Sequence, residues 1–219
     1  LGQFGTTGVP ENKGWDFFAG LLHHVEGHFQ KPDSAWKFIN GKSAKVKIPE
    51  GQYSNEWFTN QAKIFIKEQQ SNPFFLYLAY TLPHAELVVP NTNMQTYLTP
   101  EGLSKFSPEK AHPSGQHYGP QNNPKAAYAA MVSQMDQYVG QIIAYLKEQK
   151  LYDNTIIIFT SDNGTHKEGG RTNQDISFFN SSGGLRGAKR DLYEGGIRIP
   201  FIVSWKGKIK PASSNEFIG

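Results

Sequence analysis

Three short stretches of the chain carry side chains suited to chemistry on an anion. The first is Ser161-Asp162-Asn163-Gly164. A carboxylate beside a carboxamide supplies oxygen donors for a hard cation, and the glycine lets the backbone turn sharply behind them. The second is Pro83-His84, an imidazole able to gain or lose a proton near neutral pH. The third runs from Gly183 to Pro200, where Lys189 offers a compact charge to a tetrahedral anion and Arg186 or Arg198 a planar fork. Each has a plainer reading. Asp-Asn-Gly is also the composition of a surface turn, and the basic stretch includes Asp191 and Glu194, enough to pair internally as a solvated loop.

The elements ahead of these stretches weigh between the readings. Thr155 to Thr160 is a continuous β-branched and aromatic run, the pattern of a parallel strand covered on both faces. Phe74 to Tyr80 reads as a second buried strand, and it stops at Pro83 and His84. Between them Tyr128, Met131, Val132, Met135, Val139, Ile142, Ile143 and Leu146 form an i, i+3, i+4, i+7 stripe that predicts an amphipathic helix over Ala126 to Gln149. Strand, helix and strand predict a right-handed βαβ unit with parallel strands. His84 and Asp162 then share one carboxyl edge, where ligands gather in open α/β sheets. An imidazole converging on a metal-type carboxylate is harder to explain as a surface turn.

Upstream, Phe58, Ala62, Phe65 and Ile66 predict a helix over Asn55 to Gln70, with Ser54 as its N-cap and Glu56 favourable in the first turn. Gly2 to Gly20 reads as a loop, and the polar segment to Gly51 shows no element. Phe201, Ile202 and Val203 predict a further strand. Residues 81–125 are rich in Pro, Asn, Ser, Gly and His and lack periodicity, a length unusual in a compact domain unless it covers a site; they are predicted to be a long active-site loop.

Composition narrows the function classes. With 219 residues and 37% hydrophobic content the chain can bury one sizeable core. A balance of 22 Lys and Arg against 19 Asp and Glu, +3 overall, is too weak to argue for nucleic acid or an anionic membrane surface. No apolar stretch is long enough to span a bilayer and no signal-peptide succession opens the chain. The absence of cysteine excludes disulfides and thiolate metal sites and leaves the compartment open.

Three further candidates stand apart. His24 and His28 around Glu26 have an i, i+4 zinc-like spacing beside His23, which requires a helix that Gly27 disfavours. His166 lies just past the Asp-Asn-Gly turn, near enough to touch a substrate or to be a solvated loop residue. Asp136 sits at the edge of the helical stripe, where a hydrogen-bonded structural role is expected.

Taken together, Pro83-His84, Tyr128 to Gly140 with Met135-Asp136 and Val139-Gly140, the strand into Ser161-Asp162-Asn163-Gly164, and Leu185-Arg186-Gly187-Ala188-Lys189 followed by Tyr193-Glu194-Gly195-Gly196-Ile197-Arg198 resemble the type I sulfatases of the alkaline-phosphatase superfamily. Gly14-Trp15-Asp16-Phe17-Phe18-Ala19-Gly20 and Tyr118-Gly119-Pro120-Gln121 extend the resemblance over most of the chain, which is most similar to bacterial arylsulfatase-like members. The resemblance implies an α/β fold with a mostly parallel sheet flanked by helices. It implies calcium held in part by Asp162 and Asn163, His84 contacting the sulfate and assisting leaving-group protonation, and Lys189 neutralising a sulfate oxygen. It further implies a formylglycine nucleophile made from Cys or Ser in a Cys/Ser-x-Pro-Ser-Arg motif, which this chain does not contain. Leu1-Gly2 is similar to the tail of the family's Gly-Lys-Trp-His-Leu-Gly segment, and the early Asp pair and the smaller C-terminal subdomain lie outside the sequence. Residues 1–219 are therefore expected to be a partial catalytic domain, truncated at both ends and inactive alone.

The expected partner is a sulfated small molecule or glycan, with no nucleic acid and no membrane span, and the resemblance implies a periplasmic or secreted location. Two other classes stay open: a phosphodiesterase or phosphonate hydrolase of the same superfamily, since a tetrahedral anion, a divalent metal and a lysine serve phosphorus as well, and a non-catalytic module binding sulfated glycans through Lys189 and the arginines.

Overall fold

A computed structural model describes residues 2–39, 41–115 and 118–212; Leu1, part of the upstream resemblance, lies outside them. In chain order the regular elements are β1 (Ala19–Gly20), β2 (Ser34–Ile39), β3 (Lys42–Lys47), α1 (Ser54–Glu68), α2 (Asn91–Gln95), α3 (Pro124–Glu148), β4 (Ile157–Thr160), α4 (Asn173–Phe178), α5 (Glu194–Ile197) and β5 (Phe201–Ser204).

The two long helices form where the apolar spacing places them. α1 starts one residue early, with Tyr53 as its N-cap and Ser54 already helical, and α3 opens on Pro124, whose missing N–H costs nothing in a first turn. The strands depart further from expectation. β1, β2 and β3 make an antiparallel sheet in the segment read as polar and featureless, with Ile39 paired to Lys42 around Gly41 at φ 76°. β4 pairs antiparallel with β5, Ile157 opposite Ser204 and Thr160 opposite Phe201. Phe74 to Tyr80 alternates in exposure as a strand does, yet joins no ladder. The parallel pairing expected between it and β4 is therefore not formed among the described residues. Nor is β4 covered on both faces: Ile158, and Ile156 just before the strand, are half exposed, because no layer of the described residues lies over that side.

Two cores result. Ala35 and Ile48 of the hairpin region pack on Trp57 and Phe58 of α1. The larger core joins Leu82, Ala85, Leu87 and Val89 to Tyr53 and to Ala127, Ala130, Met131 and Tyr138 of α3. Alanines at the start of α3 let the 82–89 segment approach closely, so the residues around His84 are seated on a rigid helix. Residues 81–125 are thus not structureless: they hold α2 and the bridges Leu98 to Ser104 and His112 to Gln121.

Candidate active site

His84 is positioned by its backbone. Gln30, wholly buried, donates from Nε2 to the His84 carbonyl at 3.2 Å, and its Oε1 accepts from Asn55 Nδ2 at 3.2 Å. Asn55, also wholly buried, donates to Thr81 Oγ1 at 2.8 Å and accepts from the Thr81 N–H at 2.9 Å, while the His84 N–H donates to the Thr81 carbonyl at 2.9 Å. Next along the chain, the Glu86 carboxylate accepts from the N–H groups of Gln30 at 3.2 Å and Gly119 at 3.1 Å, tying two other loops to the histidine segment.

The ring is held as firmly. Its Nδ1 lies 2.7 Å from the Ala85 carbonyl, so Nδ1 carries the proton and Nε2 is left with a lone pair. That lone pair faces Lys189 Nζ at 3.1 Å. His28 stacks on one side of the ring, centroids 5.2 Å apart and 4° from parallel, and His166 on the other at 4.9 Å and 13°. Burial lowers the His84 pKa below its ordinary value; the bond to Ala85 works against this, and Lys189 adds to it. Glu168 and, last, Asp162 pull the other way.

Lys189 reaches the site because two loops meet backbone to backbone. Its N–H donates to the Thr165 carbonyl at 2.7 Å, and the Gly164 N–H donates to the Gly196 carbonyl at 2.9 Å. A Cβ on Gly164 would lie 2.0 Å from the Gly195 carbonyl oxygen, one on Gly195 2.3 Å from that of Gly187, and one on Gly196 2.2 Å from that of Asp191. No side chain fits this seam.

Beside it His166, 6% exposed, presents Nε2 to the Pro83 carbonyl at 3.2 Å and Nδ1 to Glu168 at 3.1 Å. Arg171, 5% exposed, donates to the His166 carbonyl at 3.1 Å and lies 3.7 Å over the Tyr128 ring. A basic, imidazole-rich cluster with an exposed carboxylate and a half-buried carboxamide nearby can bind a tetrahedral anion, place a cation against it, and exchange a proton at His84 Nε2.

The sulfatase family model matches residues 2–219. The chain belongs to the sulfatase family. It is 30% identical over 215 residues to the uncharacterized sulfatase YdeN of Escherichia coli (strain K12), covering 95% of this chain and 32% of that protein. It is 35% identical over 183 residues to an N-acetylgalactosamine-6-O-sulfatase of Bacteroides thetaiotaomicron, covering 82% and 30%. Among solved structures it resembles that of Ps i-CgsB, at a TM-score of 0.66 and 26% identity over 92% of this chain and 42% of that one; the same protein is also known in complex with k-i-k-neocarrahexaose. The fold is accordingly the α/β fold of the sulfatases. The sulfatase chain spans about a third of the length of the curated relatives it matches.

Asp162 and Asn163 fit part of a calcium site. Asp162 is exposed at the end of β4, and Asn163 spends its Nδ2 on the Gly164 carbonyl at 2.9 Å, leaving its Oδ1 to ligate. Calcium takes roughly six to eight oxygens, so these two can supply only a share. No three His, Asp or Glu side chains among the described residues converge as a metal site.

The other candidates fall elsewhere. Glu26–His28 is a 3₁₀ turn, so the i, i+4 face expected for His24 and His28 does not exist; their rings meet edge-on at 6.0 Å, and His28 joins the His84 stack instead. Arg186 lies 3.8 Å over the Tyr193 ring and Arg198 is 3.9 Å from Glu194, so neither fork faces the site. Asp136 is exposed on α3, with solvent rather than a buried partner around it, whereas Gln134 and Tyr138 of the same helix are buried. Sequence reasoning missed Glu168, Arg171, Gln30, Asn55, Glu86 and the site role of His28. Only Glu168 and Arg171 carried a signal, as charged residues within ten of Asp162.

Proposed function

We propose that the complete protein carrying this chain hydrolyses sulfate monoesters of aryl or carbohydrate alcohols. The observation behind this reading is the contact of Lys189 Nζ with His84 Nε2, a fixed cation against an imidazole, with Asp162 among the charges that act on that ring. Lys189 takes up charge on a sulfate oxygen; the sulfuryl group passes to the nucleophile as the S–O bond to the alcohol breaks, and His84, after its Nε2 lone pair takes up a proton from solvent, hands that proton to the departing ester oxygen, releasing the alcohol. With its Nδ1–H committed to Ala85, the ring exchanges protons at Nε2. Calcium on Asp162 and Asn163 would supply charge neutralisation and orientation of the sulfate group. The nucleophile, a formylglycine in this reading, is not among these residues, so the 219-residue chain alone gives no turnover. Export to the periplasm or medium accompanies the proposal, as does a sulfated small molecule or glycan as substrate.

The test is kcat/KM of the complete protein for an aryl sulfate and for the matching phosphate diester, with calcium and after chelation. A calcium-dependent preference for the sulfate is expected, and His84→Ala or Lys189→Ala should each lower it by about 10² to 10³. Preference for the diester, or indifference to both substitutions, overturns the reading.

A further inference from the structure

Glu168 faces two members of the site, His166 and Lys189, and the neighbouring Arg190. Its side chain is 9% exposed. Oε2 is 3.1 Å from His166 Nδ1; Oε1 is 3.7 Å from Lys189 Nζ and 2.5 Å from Arg190 Nη1. A carboxylate so covered is costly unless cations face it, and here an ammonium and a guanidinium do. The Arg190 side chain is 73% exposed and solvent screens it, whereas that of Lys189 is 23% exposed, so the Lys189 contact is the more enclosed of the two.

The consequence concerns the direction of the ammonium. Lysine has three N–H donors. One points at His84 Nε2, 3.1 Å away. A second is drawn toward Glu168 Oε1, 3.7 Å away. The third is left for a ligand. Without Glu168 a long, flexible side chain would have one anchor instead of two.

We propose that Glu168 is a positioning residue that sets the direction of the Lys189 ammonium and thereby presents its remaining N–H to the anion. The proposal rests on the sulfate-ester reading for what that anion is, and on geometry alone for the Glu168 to Lys189 coupling. The competing role is purely structural, a counter-charge that neutralises the basic 186–190 loop.

The experiment has two arms on the complete protein. In the kinetic arm, kcat and KM for an aryl sulfate are measured for Glu168→Gln, Lys189→Ala and the double variant, beside their thermal midpoints. Glu168→Gln is expected to leave KM within about threefold and to lower kcat by roughly 10 to 10², yet to change kcat by less than about threefold once Lys189 is alanine, because residues acting as one unit are not additive. Equal losses in both backgrounds, or an unchanged kcat, overturn the proposal. In the second arm, acylation of each lysine by acetic anhydride is followed by mass spectrometry. Removing the carboxylate frees the Lys189 side chain from its second anchor, so Lys189 should be labelled severalfold faster in Glu168→Gln while Lys147 and Lys206 keep their rates. If the wild-type protein turns over no sulfate ester, the sulfate reading fails and labelling decides: a faster Lys189 sustains the coupling, and an unchanged one overturns it.

Discussion

Asn55 sits in the first turn of α1, wholly buried, with its carboxamide bridging Gln30 and Thr81. Replacing it by alanine strands the Thr81 N–H and the Gln30 Oε1 inside the protein. Asn55→Ala should therefore cost about 1–3 kcal/mol, read as a lower denaturant midpoint at unchanged slope, and should loosen the His84 backbone with it. His166 carries a second prediction. Its ring faces two acceptors, yet burial, then Arg171 and His84, hold its pKa down to about 4. The unfolded chain thus binds a proton the folded one refuses. Stability from this group is whole above the ordinary histidine value near 6.5 and is lost as pH falls from there toward 4, and the fall should be shallower in His166→Asn. His84 and His112 are lowered too, also by burial first, and add to the same slope. His84, Lys189 and Asp162 were legible in the sequence because each stands at the end of an apolar run or in a glycine-rich stretch. Gln30, Asn55 and Glu86 were not, since their partners lie 25 to 56 residues away and leave no local pattern.

α1 and α3 announce themselves through spacing, since a helix repeats every 3.6 residues and a core needs one apolar stripe. Met131 is the test of that stripe: it has no exposure and packs against the 82–89 segment. Met131→Ala should destabilise by roughly 2–5 kcal/mol, measured by thermal or urea unfolding. The strands are read less well for identifiable reasons. The β2 to β3 hairpin did carry a signal, Asn40-Gly41 between alternating residues, but lysines at Lys37, Lys42, Lys45 and Lys47 made it look like a polar connection. Phe74 to Tyr80 and β4 both have the composition of fully covered strands, and composition records the cover a strand is suited to, not which neighbours are beside it.

Across the whole molecule that suited cover is visible as exposure. Phe75 is 75% and Tyr77 68% exposed, and Ile156, Ile158, Phe201 and Ile202 are at least half exposed. Apolar surface of this extent promotes association. The 219-residue chain should elute above monomer size in gel filtration, and Phe75→Lys with Ile158→Lys should return it to monomer without lowering its thermal midpoint. In the complete protein the same pair should lower the midpoint if those faces are covered there, so the two experiments together say what lies over them. The glycine seam between residues 164 and 195–196 acts at the same scale. A site built on contacting main chains is inherited as one piece: a side chain at Gly164 runs into the Gly195 carbonyl and drives the Asp162–Asn163 loop from the Lys189 loop, while one at Gly195 or Gly196 runs into the carbonyls of Gly187 or Asp191 and distorts the Lys189 loop itself, with no milder intermediate. Diversification of what the site accepts must then enter elsewhere, through the more exposed residues 23–27 and 91–115, where side chains can change one at a time. A saturation library scored for function should come back nearly blank at Gly164, Gly195 and Gly196 and richly varied in those two loops.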